Sequence, residues 1–584
     1  MSTVTPESPS AAANHAQLDR RERAVLDEAI AILRAGEQTW AGMPLADRAA
    51  LLMRVHAGVA AASEEWATTA ARIKRLPAHS PLVGEEWISG PYPVLTGLGV
   101  LAASLNALAA GKSPAGDVRL GSAPGGRVTV PVLPHNSYEA LLMHGFHAEV
   151  WMEPGVTAER VRASAGLAAK RPERTNGIGL VLGAGNITSI APLDAHYELV
   201  ANNRVVLLKL NPVMRELEEV YRTAFAPMID LGVLQIVQGG AAAGAYLTAH
   251  PDIAHIHITG SAITHDVIVY GPGEEGRARK AAGAPQLDKP ITSELGGVAP
   301  VIVVPGQWSK KDLEYQAAHI ATMRLHNGGY NCIAGQVVII SADWAQKNEF
   351  LAALRSAFDR APARPAWYPG SDERLAGALA SYPGAERLGE GGCRVLVETD
   401  AADAAALENT EYFSPVLGVV QLHGGGARFL EDAVAYANER LTGTLGANVL
   451  IDPRSRNPMG ERFDALIADL RYGTVAVNAW TGVGFLTAAA TWGAFPGHTL
   501  DDIQSGRGVV HNALLLEGTE RTVVTGPFRP FPRSVMHGEF ALFPTPPWFV
   551  TARSAALTGR RLAGFAAHPS WGGMPAVFAA AFRA

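Results

Sequence analysis

Apolar positions along this chain change their period twice. From about Leu18 to Lys112 they recur at i, i+3 and i+4 in an Ala-rich background, as in Leu26, Ile30, Ile32 and Leu33 and again in Leu51, Leu52, Val55 and Val59, which predicts an α-rich N-terminal layer. Gly121 to Arg127 reads as a glycine-rich turn, and Val128-Thr129-Val130-Pro131-Val132-Leu133-Pro134 as a short strand whose prolines suit a sheet edge. Between Gly177 and Gly297, short apolar runs at Ile178–Leu182, Val205–Leu208, Leu234–Val237 and Ile256–Thr259 alternate with helical stretches. Strands that alternate with helices imply parallel βαβ units in an open twisted sheet. A second βα segment runs from Gly297 to about Asn478, with strands expected at Val298–Val304, Val337–Ile340, Val416–Val420, Gly446–Leu450 and Thr474–Asn478. Beyond about residue 510 the texture turns to Pro and aromatics, as in Pro527-Phe528-Arg529-Pro530-Phe531-Pro532.

At 584 residues the chain exceeds one compact core. The expected division is a mobile tail at 1–17, a helical layer with a dinucleotide-type domain at 18–293, a second α/β domain at 294–478, a return segment at 479–510 and a C-terminal extension at 511–584. A formal charge of −6, with no basic block or basic-aromatic stripe, argues against nucleic acid as a partner. Two cysteines, Cys332 and Cys393, cannot build a disulfide framework, and no Cys/His cluster has zinc spacing, so no metal site is expected. The N-terminus lacks the basic region and apolar core of a signal peptide, and no run of about 18 apolar residues is evident, so a cytoplasmic protein without a transmembrane segment is expected.

Candidate chemistry gathers at a few turns. Cys332 lies in Asn327-Gly328-Gly329-Tyr330-Asn331-Cys332-Ile333-Ala334-Gly335-Gln336, between glycine-rich turn chemistry and an apolar run. Glu294 lies upstream in Ser293-Glu294-Leu295-Gly296-Gly297, on a tight glycine turn before a strand. A thiol and a carboxylate can pair as nucleophile and base. Gln238 to Gly244 and Thr259-Gly260-Ser261 each open a helix after a strand, so their backbone N–H groups face an anion. Gly111-Lys112-Ser113 lacks the glycine and strand of a phosphate-binding loop, and His255 with His257 reads as a structural pair on one strand face.

Taken in order, these motifs resemble the aldehyde dehydrogenase superfamily. Gly185-Asn186 is similar to its Trp-Asn-Phe-Pro segment without the flanking Trp, Phe and Pro, Lys209 stands where its cofactor-ribose lysine falls, and Thr259-Gly260-Ser261 resembles Phe-Thr-Gly-Ser. Glu294 and Cys332 fall on Glu-Leu-Gly-Gly and Gly-Gln-x-Cys, Glu411-Tyr412-Phe413-Ser414-Pro415-Val416 resembles Glu-x-Phe-Gly-Pro-Val, and Ser505-Gly506-Arg507-Gly508 resembles the closing Ser-Gly-x-Gly. The resemblance implies an α/β fold with a Rossmann-type cofactor domain and a second α/β catalytic domain, assembled as a homodimer or homotetramer.

It further implies that Cys332 attacks an aldehyde, that Asn186 and the Cys332 N–H hold the oxyanion, and that Glu294 activates water to release a carboxylic acid. Lys209, Gly240, Gly244, Thr259, Gly260, Ser261, Glu411 and Phe413 would bind NAD or NADP. Pro212 replaces a glutamate that many NAD-preferring relatives carry, which points to NADP or dual use. The apolar segment Ala479-Trp480-Thr481-Gly482-Val483-Gly484-Phe485-Leu486 falls where relatives line the substrate entrance, hinting at a hydrophobic aldehyde. The alternatives are an acyl-CoA reductase or acylating dehydrogenase, and a catalytically silent assembly subunit.

Overall fold

The computed structural model describes residues 18–584, and the expected tail at 1–17 lies outside the described residues. Four helices, Arg20–Gly42, Leu45–Ile73, Val83–Ile88 and Pro91–Ala109, form the N-terminal layer that the i, i+3, i+4 pattern predicts. The first is fixed at its start by a capping box between Asp19 and Glu22. Taken together, the stretch Val83–Ala109 is apolar and long enough to cross a membrane, with 56% of its apolar window buried inside the fold. It is not an unbroken apolar run, because Glu85, Glu86, Ser89, Thr96, Ser104 and Asn106 interrupt it.

The smaller sheet has six strands in the order Gly506–Arg507, Ile291–Leu295, Ile253–Gly260, Ile178–Leu182, Val205–Lys209, Leu234–Val237. All but Gly506–Arg507 pair in parallel. Chain order reverses between Ile178–Leu182 and Ile253–Gly260, so a crevice for a ligand is expected outside the carboxyl ends of these strands. The loops that carry Asn186, Lys209, Gly240 and Ser261 all leave the sheet at that end. Glu294 sits inside the strand Ile291–Leu295 rather than on the turn itself, with Gly296-Gly297 carrying the chain across into the second sheet.

The larger sheet has eleven strands: Gly121–Ala123, Arg127–Leu133, His147–Met152, Thr519–Thr525, Thr474–Val477, Gly446–Leu450, Ala299–Val303, Gly335–Ser341, Val416–Leu422, Arg394–Asp400 and Glu386–Leu388. Two expectations change here. Arg127–Leu133 is not the edge strand, because Gly121–Ala123 pairs outside it, although that strand covers only Arg127 to Thr129 and leaves Pro131 on an open side. The segment after residue 510 is not wholly an extension, because Thr519–Thr525 joins His147–Met152 to Thr474–Val477. The C-terminal helix Ala555–Ala567 packs back on the N-terminal layer, with Gly84 pressed against the Ala555 backbone and Gly559 against Trp87.

Candidate active site

Two glycine motifs weld the sheets together where the carboxylate stands. Leu295 N–H donates to Ser505 O at 2.8 Å, Ser505 Oγ donates to Gly296 O at 3.0 Å, and Gly506 pairs with Glu294. A Cβ on Gly506 would come within 2.1 Å of Ser293 O, and its φ of +115° is in the left-handed range, so glycine is required. Glu294 is thereby fixed and buried at 2% exposure. Its Oε1 accepts from Trp492 Nε1 at 3.4 Å. Burial pushes its carboxyl up to about 7, against the pull of the Cys332 thiol and with a further push from Asp194.

Cys332 approaches from the second sheet, in the turn that enters Gly335–Ser341 after the helix Lys310–Leu325. It is a free, half-buried thiol, whereas Cys393 lies away on another strand connection. Burial first, and then the Glu294 charge, push the Cys332 thiol well above its ordinary value. The unusual neighbours of the cysteine turn away from it. Tyr330 is buried, shares a 2.8 Å hydrogen bond with Ser371 and stacks on Tyr368 at 5.5 Å, while Asn331 donates to His326 O at 3.0 Å.

Asn186 is buried beside the same loop, and its Nδ2 donates to Tyr330 O at 2.9 Å. An amide carries two N–H bonds, so one remains for an oxyanion. Asn327 ties the pieces together, its Nδ2 lying 3.1 Å from both Asn186 O and Tyr330 O. Sequence reading missed both Trp492 and Asn327 as site residues. Asn327 was legible as the first residue of the cysteine motif, whereas Trp492 carries no local signal.

On the nucleotide side, Lys209 ends the strand Val205–Lys209 with its tip buried, and among the described residues its one acceptor is Leu210 O at 3.5 Å. Burial alone lowers its ammonium to about 8. The helix Ala241–Ala249 has no side-chain cap, and a Cβ on its N-cap Gly240 would meet nothing, so its first N–H groups face open space beside Lys209. An uncapped helix end beside an unpaired ammonium fits a phosphate-bearing cofactor.

The second glycine turn differs. Ser261 caps its own helix by accepting from Thr264 N–H, and Thr259 Oγ1 donates to Asp194 at 2.9 Å in a buried network with His257. These side chains are spent inside the protein, which leaves the backbone at Gly260 as the part of that turn free to meet a ligand. Sequence reading took His255 and His257 for a structural pair; they belong to this network, with His255 on Glu198 at 2.8 Å and His257 on Thr292 at 2.9 Å.

Gln336, fully buried, holds the loop that carries Glu411 and Phe413. Its Oε1 accepts from Tyr412 N–H at 2.9 Å and its Nε2 donates to Thr410 O at 2.7 Å. Among the described residues Glu411 Oε1 has no hydrogen-bond partner, and burial pushes the carboxyl up to about 8 despite Arg324 nearby. Phe413 takes a left-handed φ of +42° and rests edge-on against Tyr368 at 5.0 Å. An orphaned carboxyl oxygen beside a half-buried aromatic ring suits a polar ring-bearing ligand. On the other flank of Glu294, an apolar cavity of about 30 Å³ is lined by Leu193, Tyr197, Phe485, Leu486, Trp492 and His511.

The six-stranded sheet carries the Glu294 carboxylate and the turn entering a strand of the eleven-stranded sheet carries the Cys332 thiol, an α/β arrangement in which the two groups meet between the sheets. The sequence profile of the Aldehyde dehydrogenase family matches residues 194–390. N-Succinylglutamate 5-semialdehyde dehydrogenase of Klebsiella pneumoniae is 26% identical over 354 residues, covering 56% of this chain and 65% of that protein, so the match spans less than two thirds of the relative. Aldehyde dehydrogenase C of Pseudomonas syringae, solved as a mutant with NAD+ and octanal, superposes with a TM-score of 0.58 at 18% identity over 87% of this chain and 90% of that one. Gamma-glutamyl-gamma-aminobutyraldehyde dehydrogenase of Burkholderia cenocepacia gives 0.57 at 21% identity over 87% and 88%. The chain thus has the fold of the aldehyde dehydrogenase structures over most of its length, and residues 194–390 match the aldehyde dehydrogenase family profile.

Proposed function

We propose that this protein oxidises an aldehyde to a carboxylic acid through a covalent Cys332 intermediate. The observation that carries the reading is the convergence of Cys332, Glu294 and Asn186 from three separate chain segments onto one buried junction between the sheets. The Cys332 thiol gives up its proton to ionised Glu294, which passes it to solvent, and the sulfur bonds the aldehyde carbon. The free Asn186 N–H donates to the resulting oxyanion, a contribution of about 2.7–4 kcal/mol in comparable sites. A bound nicotinamide cofactor would accept the hydride that leaves the former aldehyde carbon, and the carbon left on Cys332 is then a thioester. Glu294, ionised, then takes a proton from water as that water attacks the thioester; the C–S bond breaks to release the acid, and the departing thiolate takes the proton back from Glu294.

Lys209, Gly240, Gly244 and the turn at Gly260 would hold the adenosine half of the cofactor, and Glu411 with Phe413 the nicotinamide half. Pro212 stands where many NAD-preferring relatives carry a glutamate, so that carboxylate is not there to repel a 2′-phosphate. This favours NADP or dual use. The octanal in the Pseudomonas syringae structure and the apolar side chains Phe485, Leu486 and Trp492 near Glu294 support a hydrophobic aldehyde. Glu294 favours water over coenzyme A as the acyl acceptor.

Titrating NAD and NADP against intrinsic fluorescence, then adding an aldehyde panel with and without coenzyme A, tests the reading. Cofactor binding followed by coenzyme-A-independent nicotinamide reduction is expected. Strict dependence on coenzyme A would replace it with an acylating dehydrogenase, and failure to bind either nucleotide with a silent subunit.

A further inference from the structure

The loop that presents the thiol is gripped from behind by the N-terminal helical layer. Asn327, Gly328 and Gly329 take successive left-handed φ values of +54°, +71° and +82°. Such a turn points its N–H groups to one side, where they need an acceptor. The acceptor is Glu85, from the helix Val83–Ile88, whose Oε2 takes the Asn327 N–H at 2.9 Å. Arg364 donates to the same carboxylate and lies 3.5 Å from Asn327 Oδ1 and from Glu86. Glu86 in turn pairs with Lys74 at 2.8 Å, both fully buried. Two cations and two carboxylates thus close a buried cluster against the loop. Burying four charges gives little net stability compared with apolar packing, so stability is a poor account of why they stand here.

We propose that Glu85 is a positioning residue for the Cys332 nucleophile and the Asn186 oxyanion donor. The inference rests on the role given to Cys332 above. Glu85 fixes Asn327, whose carboxamide bonds both Asn186 O and Tyr330 O at 3.1 Å, and Asn186 Nδ2 donates to that same Tyr330 O at 2.9 Å. The oxyanion donor and the segment two residues before the thiol therefore share one anchor. A shift in Asn327 moves both, and misplacement by about 1 Å can cost about 100-fold in rate.

The test compares full-length wild type with Glu85→Ala, Glu85→Gln and Asn327→Gly. It measures iodoacetamide alkylation of Cys332 with Cys393 as the internal control, together with kcat, KM and cofactor affinity. In Glu85→Ala the loosened loop should alkylate at Cys332 about tenfold faster while Cys393 is unchanged. Its kcat should fall about 100-fold at unaltered cofactor affinity. Glu85→Gln, whose amide oxygen still accepts the Asn327 N–H, should recover most of both effects.

A folded Glu85→Ala with wild-type alkylation and kcat overturns the proposal, and so does a Glu85→Gln as damaged as Glu85→Ala. If Glu85→Ala fails to fold, Asn327→Gly decides. It keeps the left-handed backbone and the N–H bond to Glu85 while losing the carboxamide, so unchanged Cys332 reactivity in that variant overturns the proposal. Alkylation needs no aldehyde turnover, so a wild type without dehydrogenase activity would sink the reaction reading alone.

Discussion

Replacing Glu294 with Gln separates the two halves of the proposed reaction. The amide keeps the shape of the carboxylate and can still accept from Trp492 Nε1, now 3.4 Å away, so the fold should persist. The base is lost. Its carboxyl sits at about 7, so in the wild type the hydrolytic step should rise about tenfold per pH unit below 7 and level off above it. General-base catalysis contributes typically 10²–10⁴-fold, or about 3–5.5 kcal/mol, and the variant should lose about that much steady-state turnover together with the pH dependence near 7. The first half should survive, with the thiol proton passing directly to solvent, because removing the Glu294 charge removes one of the influences that hold the Cys332 thiol high. Stopped-flow absorbance should then show a burst of one reduced cofactor per chain followed by a slow phase, with intact mass reporting an acyl group on Cys332. Turnover within threefold of wild type, or loss of turnover with neither burst nor acyl adduct, would refute the assignment of Glu294 as the base.

Other outcomes follow from the same geometry. Asn186→Ala should lower kcat about 10²–10³-fold, as loss of one oxyanion donor does elsewhere, and a loss confined to KM would remove it from that role. Lys209 is charged below about 8 and neutral above, so NADP affinity, measured by fluorescence titration, should weaken as pH rises through that value and Lys209→Met should abolish the dependence. Lys74→Met leaves Glu86 buried without its closest partner and should cost about 3–5 kcal/mol, read as a lowered melting temperature.

Much of the fold was legible because its strands are apolar runs bounded by glycine. Val205 to Leu208 and Val337 to Ile340 are buried throughout, and a run of that kind needs no partner to be recognised. Thr519–Thr525 was not legible, because Thr-Glu-Arg-Thr reads as polar surface. In the folded chain Glu520 accepts from Arg127 at 2.7 and 2.9 Å and from Arg521 at 3.0 Å, so its charges are buried in pairs that no local pattern reveals. The same applies to the site. Cys332, Glu294 and Asn186 announced themselves through glycine turns, whereas the engagement of Thr259 by Asp194 and the hold of Glu85 on Asn327 depend on residues far apart in the chain.

The central claim is that the Cys332 thiol forms the covalent bond to the aldehyde. It is tested most directly by nicotinamide reduction with a panel of aldehydes at saturating NAD or NADP, comparing wild type with Cys332→Ala. The account requires turnover by the wild type with at least one aldehyde and none above background in a Cys332→Ala protein that still binds cofactor. Equal rates in the two proteins would contradict it.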